Sequence, residues 1–295
     1  VDEVFYENLS QRGNFPGTAT AENGKLFKVT NTTHAAYIGE VGAGTGLWSA
    51  IGEVTVIPEA TPRVANKYTI AVQDFAQGIS MSKDWFDDQM HDVWQESVAR
   101  FAIMANITRD TNAFGLFRGA FTTTLTADGV AAISASHVTL SGATVSNLVT
   151  GGLSTTTLNT AIVKLGEMKS QEGVIVGAVG AEMMLLVPMA LFKLATEITD
   201  SVLISDASTN AVNVYRSMLG IEVMTSPYLG AAAGGSDTAW FLLSPMHSVR
   251  RLVRQGVTTA LRDWMYSNNR TYYYQGNYRE SYFISDFFGL VGSAG

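Results

Sequence analysis

The feature that most constrains the fold is a long amphipathic stretch beginning at Ser82. Ser82 is suited to cap a helix, because its side-chain oxygen can accept one of the backbone N–H groups that a first turn leaves unpaired. Asp84, Asp87 and Asp88 suit the positive end of the helix dipole, and Phe86, Met90, Val93, Trp94, Phe101 and Met104 recur at helical spacing. The pattern predicts a helix running to about Asn106. Some 25 residues rising 1.5 Å each give about 37 Å, the reach of an element that braces a whole domain.

Two strand-like runs precede that helix, residues 51–57 and 68–75, both rich in β-branched and aromatic side chains. The segment between them carries Pro58, Glu59, Pro62, Arg63 and Lys67, which predicts a long hairpin with a charged tip. A two-stranded ribbon is marginal in water on its own, so it is expected to pack on something outside itself.

The flanking regions differ in texture. Residues 1–50 are rich in Gly, Asn and Thr, with glycines at 39, 42, 44 and 46, and predict an extended arm with loops that either stays mobile or is ordered against another part of an assembly, a neighbouring subunit being the natural candidate. Residues 113–152 predict short strands and loops. A second helix is expected from near Thr155 to before Gly173, with Leu158, Ala161, Ile162, Leu165 and Met168 on one face. An apolar run at 183–187 meets Pro188, placed as the first residue of a helix through about Glu197. Residues 221–224 and 239–243 predict buried strands, and the aromatic alternation over 261–288 predicts antiparallel strands. The fold class is α+β.

Composition narrows the function. Only 15% of the 295 residues are charged while 46% are apolar, fewer charges than an average soluble surface carries, as in an obligate oligomer. A net charge of −7 argues against a dedicated nucleic-acid binder. The absence of cysteine excludes disulfides, thiolate metal sites and thiol nucleophiles. No apolar run reaches the roughly 20 residues that cross a bilayer, and the first residues lack the basic stretch of a signal peptide; a soluble, intracellular protein without membrane partners is expected.

The catalytic motifs are weak. Ser80-Met81-Ser82-Lys83 fits S-x-x-K, in which the lysine activates the serine, but neither S-D-N nor K-T-G accompanies it and Ser82 is better used as a cap. His34, His91, His137 and His247 are scattered, and only Asp87 and His91 share a predicted helix face. The glycine series lacks the Lys-Ser/Thr of a phosphate loop. Arg250, Arg251 and Arg254 form the densest basic cluster, read as a solvated or interface-pairing face with weak DNA contact as the rival. No catalytic residue, metal or cofactor is expected.

The stretch from Ile57-Pro58-Glu59-Ala60 through Gly78-Ile79-Ser80-Met81-Ser82-Lys83-Asp84-Trp85-Phe86-Asp87-Asp88-Gln89 resembles the extended loop entering the spine helix of tailed-bacteriophage major capsid proteins of the Hong Kong 97 type. Ala135-Ser136-His137-Val138-Thr139-Leu140, Leu185-Leu186-Val187-Pro188, and Ser226-Pro227-Tyr228-Leu229 before Trp240 are similar to segments of that family's central domain. The resemblance implies an N-terminal arm (1–45), an extended-loop hairpin (46–80), a spine helix with peripheral domain (81–129), an axial domain (130–250) and C-terminal strands returning to the peripheral domain (251–295). It implies self-assembly into hexamers and pentamers of an icosahedral shell enclosing double-stranded DNA, put together in the bacterial cytoplasm with portal, scaffold and decoration proteins. Glu59, Arg63, Lys67, Phe15 and Trp48 are the inter-subunit contact candidates. Lys67 holds the position of the crosslinking lysine of some relatives, and Val1 that of a maturation cleavage. The rival readings are an encapsulin-like nanocompartment shell and a serine hydrolase using Ser80 and Lys83.

Overall fold

The computed structural model describes residues 1–10, 17–53, 56–88, 91–180, 182–201, 213, 215–216, 220–266 and 269–295. The chain opens with helix α1 (Asp2–Ser10) and strands β1 (Lys28–Asn31), β2 (Ala36–Gly44), β3 (Arg63–Ala71) and β4 (Gln73–Ser82). Helices α2 (Lys83–Asp87) and α3 (His91–Arg118) follow, then three short strands, β5 (His137–Val138), β6 (Thr144–Val145) and β7 (Leu148–Val149). Helix α4 (Thr155–Gly166), β8 (Met184–Pro188), α5 (Phe192–Asp200), β9 (Glu222–Ser226) and β10 (Trp240–Leu243) lead to the long strands β11 (Val249–Arg262) and β12 (Thr271–Ile284) and to β13 (Leu290–Ser293).

Two sheets carry the molecule. One has the order β1-β11-β12-β4, with β11, β12 and β4 antiparallel and β1 parallel to β11. Helices α1 and α3 cover one of its faces through Phe5, Trp94, Val98, Phe101 and Ala102, packed on Met81 and Tyr274. The other has the order β7-β13-β10-β8-β9. Its inner strands β8 and β10 are apolar because both faces are covered, every residue of Met184–Pro188 and Trp240–Leu243 being buried. One side packs on Leu158, Ala161 and Leu165 of α4 with Ala195 and Ile198 of α5, the other on Phe114 and Phe117 of α3. At 28 residues, α3 extends about 42 Å and joins both cores.

Several sequence expectations are corrected. Ser82 is a cap, its Oγ accepting from the Trp85 N–H at 3.2 Å, but it caps the short α2; Gln89 and Met90 lie outside the described residues, and α3 then runs to Arg118 rather than to Asn106. The polar residues that suggested a stop are buried partners: Asn106 donates to the Leu9 carbonyl at 2.6 Å and Arg109 pairs with Glu280. Residues 113–118, expected as strands and loops, are therefore helix.

The hairpin is built differently from the expectation. The partner of β3 is β2, not residues 51–57, and the described residues between 45 and 62 form no strand. Of the glycines placed in a loop, Gly39, Gly42 and Gly44 lie in β2 and Gly46 beyond its end, and at Gly39 the absent side chain makes room for the ring of its cross-strand neighbour Tyr68. The arm also gains structure, since α1 buries Phe5 completely. Pro188 ends β8 and precedes a 3-10 turn, Met189–Leu191, so α5 starts four residues later than expected.

Candidate assembly surface

The ribbon β2–β3 is hydrogen-bonded to neither large sheet, and segment 45–62 joins its strands. At its root Tyr37 and Tyr68 lie against Phe283, with ring centroids 6.2 and 5.6 Å away. Near its far end Arg63 Nη2 donates to both carboxylate oxygens of Glu172 at 3.0 Å. Between these contacts lies a cavity of about 400 Å³, bordered by Glu40–Gly44 on the ribbon and Lys169–Gln171 on the body. The ribbon is thus held at two points with a cavity between them, beside which Ala43 is buried.

Segment 45–62 buries none of its described side chains. Trp48 is 96% exposed, Val56 88% and Leu47 79%, with Ile51 and Ile57 also open to solvent. Scattered exposed apolar residues need no explanation, but five on one short segment mark a surface that another molecule covers. The same segment carries two charges, Glu53 and Glu59, both acidic.

The contact candidates separate accordingly. Trp48 and Glu59 are exposed on this segment. Arg63 and Lys67 are on β3 and are engaged within the chain, Arg63 with Glu172 and Lys67 with Glu40 at 2.9 Å. Phe15 lies outside the described residues.

The basic cluster does not act as one face. Arg251 is buried and contacts Glu280 Oε2 at 2.6 Å, while Arg109 Nε reaches Glu280 Oε1 at 3.0 Å and Arg109 Nη1 reaches Glu22 at 2.6 Å. Tyr282 adds a hydrogen bond to Glu280 at 2.7 Å. Burial alone would raise the Glu280 carboxyl, but the charges of Arg109 and Arg251 outweigh it and hold the group below the usual carboxylate range. This network ties α3 to β11 and β12, and sequence reasoning missed it; the available signal was Glu280 standing inside an aromatic strand.

Enzymatic and metal readings find no assembled site. Ser80 is exposed on β4 opposite Tyr273, while the Lys83 ammonium pairs with Asp87 and lies 5.5 Å from the Trp264 ring centroid. The four histidines are dispersed. His137 is buried against Phe287 with Nδ1 2.7 Å from Asp128, His247 Nε2 is 2.9 Å from the Lys25 carbonyl, His34 is exposed, and the His91 side chain is outside the described residues. Among the described residues no group of three or more His, Asp or Glu could hold a metal ion, and no helix is long and apolar enough to cross a membrane.

A helix-braced, largely antiparallel sheet, a second sheet between helices and a projecting ribbon make up the Hong Kong 97-type capsid fold. The profile of the phage capsid protein family matches residues 67–287, and the chain belongs to that family. Its structure is similar to the mature capsid of bacteriophage PhiM1 (TM-score 0.60, 11% identity, 96% of this chain and 89% of that one). It is also similar to the capsid of an empty GTA particle (0.57, 14%, 96% and 91%) and to a virus-like particle from Pyrococcus furiosus (0.56, 9%, 99% and 96%). No curated protein sequence matches the chain. The protein is a shell-forming capsid subunit that associates with copies of itself in the virion, a non-enzymatic kind of protein.

Proposed function

We propose that this chain is the major capsid protein of a tailed phage, forming hexamers and pentamers of an icosahedral shell around double-stranded DNA and having no catalytic role of its own. The observation that carries the reading is segment 45–62, whose apolar side chains close no core in their own chain. On this reading residues 46–80 hold the extended loop and lie on a neighbour, with Trp48 and Glu59 in contact across the interface and Arg63 and Lys67 joining once their own partners exchange. The unit around α3 and the C-terminal strands is peripheral, and residues 130–250 meet at the symmetry axes. DNA contact is weak and without sequence readout, as the negative net charge favours. Assembly takes place in the bacterial cytoplasm with portal, scaffold and decoration proteins.

Electron microscopy of the purified protein tests this directly. Uniform closed shells are expected, and particles from the native source should contain DNA. Persistent monomers would overturn the shell role, while cargo enzyme in place of DNA would assign a nanocompartment.

A further inference from the structure

The packing of α1 and α3 on the sheet β1-β11-β12-β4 is not closed everywhere. At Gly276 of β12 no side chain rises from the sheet, and the nearest groups above it are the rings of Phe101 and Phe5. Strand β11 also leaves its register there: Gly256 and Val257 together face the single residue Tyr278 of β12, and a bulge of this kind bends a strand and re-aims its side chains. Between these elements lies a pocket of about 110 Å³, walled by Phe5 of α1, Phe101 and Ala105 of α3, Phe75 of β4, Val257 and Tyr278. Four of these six side chains are aromatic, and Phe75 and Tyr278 are stacked with ring centroids 5.0 Å apart. Gln77 and Thr108 border the same pocket and are exposed, so it is apolar within and meets water at one edge.

Size and lining decide what such a space can hold. Protein interiors leave few voids larger than a water molecule, and an apolar cavity of about 150 Å³ stays dry yet takes up benzene or xenon. The aromatic walls give a water molecule few partners but offer a flat ring both stacked and edge-on contacts. The wet edge leaves room for one polar substituent.

We propose that this pocket binds a small single-ring aromatic molecule of the phenol class, its ring among Phe5, Phe75 and Phe101 and its hydroxyl at the edge formed by Gln77 and Thr108. The site involves no residue of segment 45–62 and does not depend on the shell reading. Its occupation acts on α1. That helix is held by Phe5, whose ring centroid lies 5.6 Å from Phe101 and 5.8 Å from Tyr274, and by Asp2, which accepts from the Tyr274 and Thr259 hydroxyls at 2.9 Å. A ring in the pocket touches Phe5 from a further side and fastens α1 to the sheet.

Phenol itself is the probe. Titrated into the full chain, it should bind saturably with a Kd on the order of 1 mM. At roughly ten times that concentration it should raise the thermal midpoint by about 2–4 °C and slow hydrogen exchange in α1. Ala105→Leu, which places a larger side chain in the space, should fold and lose at least about tenfold in phenol affinity. Val257→Phe fills the pocket from the sheet side and serves the same purpose should Ala105→Leu not fold. Naphthol, with a second ring, should not bind. Unsaturable phenol binding, or unchanged affinity in a folded pocket-filling variant, overturns the proposal. Binding to unassembled subunits that vanishes in closed shells would assign the pocket to a side chain of a neighbouring copy and likewise overturn it.

Discussion

Buried ionisable side chains fix how this protein responds to acid. His247 is 1% exposed, with Nε2 on the Lys25 carbonyl and Nδ1 accepting from the Val249 N–H, so both ring nitrogens are used by the neutral form. Burial pushes its pKa down to about 4, and Lys28 and Arg250 push the same way against the Lys25 hydrogen bond. An unfolded chain protonates this histidine near 6.5, so between pH 6.5 and 4 the unfolded state binds the extra proton. The stabilisation is complete above 6.5 and lost as pH falls toward 4, at most roughly 3 kcal/mol. Urea unfolding of the unassembled protein should show this slope, and His247→Asn should remove it while slopes due to other groups remain. Glu280→Gln should cost about 3–5 kcal/mol by leaving Arg251 buried without its counter-charge and Arg109 with Glu22 alone, whereas Arg100→Ala, which loses only an exposed pair with Glu96, should change stability by less than about 1 kcal/mol. Neither network was legible in the sequence. A Glu inside an aromatic strand signals a buried partner without naming it, and a scattered His signals nothing: Arg251 and Arg109 lie 29 and 171 residues from Glu280, and Lys25 lies 222 from His247.

At the level of elements, local chemistry was legible where it acted locally. Ser82 caps a helix as its sequence position suggested; the second helix starts at Thr155 as expected, on a Ser154–Thr157 capping box that was not singled out. The apolar runs became β8, β9 and β10. Errors arose where tertiary partners override pattern: α3 continues past Asn106 because Asn106 and Arg109 are buried with partners and the apolar face resumes at Ala113, Phe114 and Phe117, and β3 chose β2 over 51–57. Strand propensity in residues 51–57 did not place the described ones among them in this chain's sheets, because a strand forms only where an edge receives it. Gly276 shows how closely α3 approaches its sheet, since a Cβ there would lie 3.3 Å from the Phe101 ring. Gly276→Ala should destabilise by about 1–3 kcal/mol in thermal unfolding. Gly42→Ala, with open space around it at the ribbon bulge, should stay within about 0.5 kcal/mol.

The whole molecule separates what folds it from what it presents. Its cores are closed by α1, α3, α4 and α5 against two sheets, and α3 contributes to the cores of both. The order of ribbon, long helix, central α/β unit and C-terminal strands was legible because each has its own periodicity, whereas the pairing β2–β3 and the parallel β1–β11 contact join distant residues and left no local trace. Stability and assembly should consequently respond to different changes. Replacing residues 46–61 with a short Asn-Gly turn removes Leu47, Trp48, Ile51, Val56 and Ile57 but no buried described side chain, so the thermal midpoint should hold. Shell formation should be lost, because the apolar surface and both acids that would meet a neighbour go together. A collapsed midpoint in that variant would mean the segment belongs to its own chain's core; intact shells would mean that the contacts closing the shell lie elsewhere on the subunit.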